Sequence, residues 1–321
     1  LCFFFLSNCS DILPGSEHFT TKEKSMDGEQ KVVKDASFLD SIKRESPKPD
    51  INGPLQIRVM SFNIRLGVAN DGDNHWTKRK SMVFEVIRKQ ASDFLGMQEA
   101  WKFQLDEVIE AEPSLTCIGR SRKADTSFDE WCPLCYRSKR WSIDAKEQGT
   151  FWLSNDPETP GSQSWDSSLP RIVTWARFIE NRTGRGVYVY NTHYDHKSTQ
   201  ARLESSKLLA KRIHSRMQMN EPVFILGDFN AGETSPPIRY LKGESIDGSK
   251  SPLVFLDTFR VLFPDAKATG TFNNWDGRKS GSKIDYVFLW SLKQKAKVLE
   301  AKIIDDNNNG RYPSDHFPVS A

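Results

Sequence analysis

Acidic, amide and imidazole side chains recur in this chain where apolar runs stop. Gly227-Asp228-Phe229-Asn230 follows the strand-like run Pro222-Val223-Phe224-Ile225-Leu226. On an extended backbone residues i and i+2 point the same way. Asp228 and Asn230 are therefore expected to present a base and a neutral amide to one small volume. The same grammar recurs in Met60-Ser61-Phe62-Asn63, Leu95-Gly96-Met97-Gln98-Glu99, Tyr190-Asn191-Thr192-His193, Ile284-Asp285-Tyr286 and Ser314-Asp315-His316. Oxygen donors dominate this set, and it holds no cysteine and no histidine triad, which disfavours Zn²⁺. One or two carboxylates with water and substrate oxygen suit Mg²⁺ or Mn²⁺. A hard cation facing His and Asn donors stabilises negative charge on a phosphoryl group.

Taken singly, each residue has a plainer reading. Asn63 fits a turn, and Glu99 fits a surface acid at the start of a helix. His193 fits a satisfied core histidine. Asp315 fits a cap after Pro313, and Asp285 a partner for Lys283 or Arg278. The catalytic reading rests on all six clusters occurring together.

Strand-end placement needs strands, and β-branched or apolar runs supply them at 57–62, 93–98, 134–137, 172–179, 187–191, 223–226, 284–289 and 298–304. Helical spacing of apolar residues marks 76–88, 101–109 and 198–217. Helices separate some strands, while others follow one another directly. That order predicts an α/β domain of two mixed sheets face to face with helices outside. Sheet scaffolds place binding groups at strand ends, where side chains aim into a shared cleft.

Residues 1–54 lack sustained apolar periodicity and read as a disordered or loosely ordered tail, leaving 55–321 as one domain. The start, Leu1-Cys2-Phe3-Phe4-Phe5-Leu6, is short and apolar and reads as a candidate signal-peptide remnant. A soluble protein is expected, with the cytoplasm ahead of secretion. No run reaches the ~20 apolar residues of a membrane span. The net charge of +3 argues against a strongly basic nucleic-acid surface. Lys78-Arg79-Lys80 reads as a solvated helix face. Five cysteines give no complete disulfide framework, and Cys132 and Cys135 read as buried strand cysteines rather than a redox or zinc motif.

In this order, Ser-Phe-Asn63, Gln-Glu99, Asn-Thr-His193, Gly-Asp228-Phe-Asn230, Ile-Asp285-Tyr and Ser-Asp315-His316 resemble the endonuclease/exonuclease/phosphatase superfamily over 57–319. Gly149-Thr150-Phe151-Trp152-Leu153-Ser154, the segment 169–176 (LPRIVTWA) and Asp195-His196 resemble one branch of it that has no assigned substrate. The resemblance implies a four-layer α/β sandwich, DNase I-like, hydrolysing phosphate esters with Mg²⁺ or Mn²⁺. Carried over, Glu99 is the principal metal ligand with Asn63 beside it. Asp228 activates water, and Asn230 holds that geometry. His193 and His316 donate to phosphoryl oxygens, Asp315 fixes the tautomer of His316, and Asp285 supports that region. Asp195, His196, Arg171 and Trp275 are weaker substrate-binding candidates.

The expected substrate is a phosphorylated small molecule or nucleotide in preference to duplex nucleic acid, bound by a monomer. A nuclease is the alternative within the class. A non-catalytic binding module on the same scaffold is the alternative outside it.

Overall fold

β-Branched and aromatic residues form strands where their runs predict, and these strands gather into two sheets. The computed structural model describes residues 53–321 except 125–127 and the side chain of residue 294. Residues 1–52 of the expected tail lie outside the described residues. The first sheet contains β1 (Val59–Asn63), β2 (Phe94–Gln98), β3 (Leu115–Ile118), β4 (Leu134–Arg137), β13 (Lys302–Ile303) and β14 (Val319–Ser320). Its spatial order is β13-β14-β1-β2-β4-β3. The second contains β5 (Trp141–Trp152), β6 (Ile172–Glu180), β7 (Gly186–His193), β8 (Val223–Asp228), β11 (Leu256–Asp257) and β12 (Asp285–Trp290). Here the order is β11-β12-β8-β7-β6-β5. A small hairpin of β9 (Ser245–Ile246) and β10 (Ser249–Lys250) lies apart from both.

Both sheets are mixed. Strands β1 and β2 run parallel, as do β7 and β8, while the other pairs are antiparallel. Each parallel pair needs a crossover. Helix α1 (Trp76–Gln90) supplies the first and α3 (Thr199–His214) the second; the remaining helices are α2 (Lys102–Ala111), α4 (Pro236–Leu241) and α5 (Thr258–Leu262). Helix α3 starts where Ser198 caps it, its hydroxyl accepting from the Ala201 N–H at 3.0 Å.

Three apolar clusters make the four layers. Val59, Phe94 and Leu134 meet Phe178, Val189, Leu226 and Val287 between the sheets. Val83, Ile87, Leu105 and Val108 seat α1 and α2 on Met60, Phe62 and Leu95. Leu209, Ile213 and Ile238 seat α3 and α4 on Tyr190, Ile225 and Phe288. Each such side chain contributes about 1.5–3 kcal/mol when fully buried. Among the described residues no helix is long and apolar enough to cross a membrane.

Some expectations change. The run 298–304 forms strand only at Lys302–Ile303, and the helix expected to reach 217 ends at His214. Strand β5, twelve residues long, escaped the apolar pattern because much of it is polar and exposed at the sheet edge. Cys135 is a buried strand cysteine, as expected, but it is bonded to Cys117 directly across β3 and β4. Cys132 is buried and free.

Candidate active site

Register brings the acids and histidines together. Asp228 is the last residue of β8, with His193 of β7 opposite it on one side and Asp285 of β12 on the other. Paired residues project to the same face of a sheet, so three strands place these three side chains in one row. From the facing sheet Asn63, at the end of β1, reaches across and donates to Asp228 Oδ2 at 3.0 Å and to Glu99 Oε1 at 3.1 Å. A buried amide lock sets this spacing. Gln98 donates to Asn191 Oδ1 at 2.7 Å, and Asn191 donates to the carbonyls of Met97 and Pro133. Gly96 leaves room for it, since a Cβ there would come within 2.5 Å of Asn191 Oδ1.

Asp228 and Asn230 converge by a different route from the one expected. Asn230 has φ 47°, and its N–H donates to Asp228 Oδ1 at 2.8 Å. The pair is an Asx-type turn rather than continued strand, a conformation asparagine tolerates. The Asn230 amide donates to Tyr194 O and to His193 Nε2, both at 3.0 Å. With Nε2 accepting, the His193 proton sits on Nδ1, which faces Glu130 Oε2 at 3.9 Å. Burial, reinforced by Arg171, pulls the His193 imidazole well below its ordinary value, so it is neutral.

His316 is the opposite case. Burial opposes its charge, but Asp285 and Asp228 hold its pKa well above the ordinary value. Nδ1–H donates to Asp285 Oδ2 at 2.9 Å, and Nε2 faces Asp228 Oδ2 at 3.8 Å. Asp285, not Asp315, therefore fixes this imidazole, and the expected Asp315 role is corrected. Neighbouring residues on extended chain point apart. Asp315 instead approaches Arg65 at 3.7 Å, while Arg65 Nη1 lies 3.9 Å from Glu99. Burial, with Asp285 beside it, pushes the Asp228 carboxyl up to about 7.

Two groupings offer oxygen donors to a divalent cation: Glu99 and Asp315, both beside Arg65, and a cluster that includes the hydrogen-bonded His316. Among the described residues Asp228, Asp285 and His316 form a group whose candidate ligand atoms all lie within 4.8 Å of one another, and Asp285 Oδ1 is buried without a partner. Part of that closeness is the Asp285–His316 hydrogen bond. Glu99, at φ 57°, accepts from Asn63 and from the Leu66 N–H. Asn63 stands beside it as expected, but presents amide hydrogens to the two carboxylates while its oxygen accepts from the Arg65 N–H.

The weaker candidates separate. Asp195 is buried, and it accepts from Ser168, Lys197 and Ser198. Burial would raise its pKa, yet these bonds bring it to about 2. It is a loop-fastening acid. Arg171 is buried, 3.2 Å from His196 Nδ1, and its Nε makes no hydrogen bond, though Asp195 and Glu130 each lie 3.9 Å from the guanidinium. Trp275 packs on the Arg79 guanidinium at 5.1 Å.

Two residues were missed. Glu130, held by Arg122 at 2.7 Å, stands behind His193 but follows no apolar run. Arg79 is 1% exposed, against the solvated face expected of it. It donates to the carbonyls of Ile64 at 2.7 Å, Pro313 and Asn74 at 2.8 Å, and Arg65 at 3.0 Å. It thereby ties the segment after Asn63 to the one carrying Asp315 and His316. Its flanking lysines are the charges that reach solvent, paired with Asp73 and Glu107.

Comparison with known proteins bears on the family and the fold. The chain matches the model of the endonuclease/exonuclease/phosphatase family over residues 60–316. A Bacteroides thetaiotaomicron mannosyl-6-phosphatase structure is 30% identical, covering 83% of this chain and 98% of that one, with a TM-score of 0.71. An endonuclease/exonuclease/phosphatase structure from Bacteroides vulgatus is 26% identical, with coverages of 83% and 98% and a TM-score of 0.70. An uncharacterized protein of Acanthamoeba polyphaga mimivirus is 21% identical over 55% of this chain and 68% of its own length.

Proposed function

The chain belongs to the endonuclease/exonuclease/phosphatase family of phosphate-ester hydrolases, and on that premise we propose that it hydrolyses a small phosphorylated molecule, a sugar phosphate foremost. One observation carries the reading: the buried carboxylate of Asp228, beside that of Asp285, is ringed by Asn63, Asn230, His193 and His316.

Asp228 takes the proton of the attacking water. Its two oxygens are held by the Asn63 amide and the Asn230 N–H, so the base is fixed in plane before substrate arrives. His316, kept charged by Asp285, donates Nε2–H to a non-bridging oxygen as charge grows there. Neutral His193, with Nε2 accepting from the Asn230 amide and Nδ1 facing Glu130, positions Asn230 rather than donating to the phosphoryl group. Glu99 would be the principal ligand for Mg²⁺ or Mn²⁺, with Asp315 near it and Asn63 beside it. Bound there, the cation supplies Lewis-acid stabilisation of phosphoryl charge. In-line displacement then needs chiefly positioning and electrostatics.

Arg171, buried with no hydrogen bond at Nε, with His196 beside it and Asp195 and Glu130 each 3.9 Å from its guanidinium, is the cation we assign to the doubly charged terminal phosphate of a monoester. Likeness to the Bacteroides thetaiotaomicron mannosyl-6-phosphatase supports the same choice. The proposed enzyme acts as a monomer through residues 55–321, with 1–54 as an appended tail.

The test is phosphate release, with Mg²⁺ present, from mannose 6-phosphate, other sugar phosphates, p-nitrophenyl phosphate, bis(p-nitrophenyl) phosphate, and single- and double-stranded oligonucleotides. Monoesters should turn over fastest, and Asp228→Ala should abolish turnover. Dominant oligonucleotide cleavage would replace this reading with a nuclease. Turnover surviving in Asp228→Ala would remove the assigned base.

A further inference from the structure

We propose that the cavity between α3 and the outer face of β5, β6 and β7 is a binding subsite for a saccharide ring, separate from the catalytic centre. The cavity measures about 570 Å³, within the size range of small-molecule sites. Its floor is Trp175. One face of that indole stacks on Tyr190, its cross-strand partner, with centroids 5.6 Å apart and planes 10° from parallel. The cross-strand partner on the other side is Gly149, which has no side chain to cover the second face. A Cβ there would sit 3.5 Å from Trp175 Nε1. The ring is thus backed on one side by Tyr190, and no side chain from Gly149 covers the other, the arrangement on which the C–H face of a pyranose stacks.

The walls carry what the hydroxyl rim of such a ring needs. Glu147 is buried and lines the cavity, its carboxylate already accepting from Tyr188 OH at 2.6 Å. Lys211 and Asn155 line it as well, offering an ammonium and an amide. Residues from both Gly149–Ser154 and the segment 169–176 contribute, although the catalytic reading uses only Arg171 of the two. The connecting loop links cavity and cleft. Trp165 lines the cavity, and Ser168 bonds Asp195 and contacts His196 at the cleft. The choice of a sugar over another ring rests on the sugar-phosphate reading above.

The experiment is calorimetric titration of the full chain with unphosphorylated mannotriose, alongside hydrolysis of p-nitrophenyl phosphate. Mannotriose should bind the wild type. Trp175→Ala should weaken binding by about tenfold, the loss expected for one aromatic stack. Gly149→Val, which fills the open slot at an exposed strand position, should do the same if Trp175→Ala proves unstable. p-Nitrophenyl phosphate turnover should be unchanged in both variants, and mannotriose should not compete with it. No binding, equal binding in folded variants, or competition with the ester would each overturn the subsite. Trp175-dependent binding by a protein that hydrolyses no sugar phosphate would sink the substrate reading and leave the subsite standing.

Discussion

Replacing Arg79 by Met tests whether the site depends on a residue that touches none of the reacting groups. The side chain keeps its apolar stem but loses every donor. Two of its four carbonyl partners, those of Ile64 and Pro313, are bonded in buried surroundings, while those of Asn74 and Arg65 are partly exposed. A buried acceptor left without a donor costs about 1–3 kcal/mol, so the two buried ones cost about 2–6 kcal/mol. Release of a desolvated cation, whose pKa burial lowers to about 10, returns part of this. A net loss of about 3 kcal/mol corresponds to about 6–12 °C in Tm for a domain of this size. Ile64 follows Asn63 and Pro313 precedes Ser314, so relaxation of the clamp also displaces both ends of the site. A displacement of ~1 Å costs about a hundredfold in rate. The assay is thermal melting together with kcat on p-nitrophenyl phosphate, measured well below the variant's Tm. Arg79→Lys should fall between, since one ammonium cannot reach four carbonyls. Wild-type melting and wild-type kcat in Arg79→Met would refute the reasoning.

Other expectations follow from the same geometry. Asp285→Asn keeps the shape beside His316 but removes the charge that holds it protonated. kcat should drop by about 10²–10³, and residual activity should decline as pH rises past the ordinary histidine value of about 6.5; a pH profile parallel to wild type would contradict this. In EDTA, pH and stability are linked with a definite sign. Asp228 and His316 both have raised folded-state values, so each contributes stability that is present at low pH and lost as pH rises through its folded value. For Asp228 that window runs from the unfolded carboxylate value to about 7. His193, held below its ordinary value, contributes with the opposite sign in both proteins. From pH 5 to pH 8 the Tm of wild type should therefore decline relative to that of Asp228→Asn; equal slopes would rule out the raised Asp228 value. Glu99→Gln should need roughly ten- to a hundredfold more Mg²⁺ for half-maximal activity, by analogy with metal-site losses. Calorimetric Mg²⁺ affinity unchanged by the substitution would take the metal away from Glu99.

Four clusters, those carrying Asn63, Glu99, His193 and Asp228, were legible because each follows a run whose periodicity announces a strand, whereas Asp285 opens β12 and Asp315 and His316 precede β14. Gly227-Asp228-Phe229-Asn230 and Tyr190-Asn191-Thr192-His193 show this most clearly, since their parallel pairing sets His193 opposite Asp228. What stayed hidden depends on partners remote in sequence. Arg79 sits between two lysines and looks like them; only the fold supplies the four carbonyls that draw it inward. Glu130 lies in a polar stretch with no period to frame it. The partner of His316 was misassigned because adjacency in sequence suggested Asp315, whereas sheet pairing delivers Asp285 from 31 residues away. Strand β5 hid for a related reason: an edge strand buries little, so its sequence carries little pattern.

The amide lock between the sheets carries the last prediction. Base and metal-ligand candidate come from different sheets, so the site exists only while the sheets keep their spacing, and apolar packing alone does not fix a register. Asn191→Leu preserves volume but removes three buried bonds. Pro133 O still receives the Met97 N–H at 3.1 Å, and Gln98 Nε2 still reaches Ser61 Oγ at 3.2 Å. The full penalty therefore falls chiefly on Met97 O and on the weakened Gln98, about 3 kcal/mol together. Folded Asn191→Leu should melt lower and lose kcat with little change in KM, because the Asn63–Asp228 contact that holds the base slackens while the substrate-facing cations stay. Loss of stability with kcat intact would mean that packing, not the lock, sets the distance between the two halves of the site.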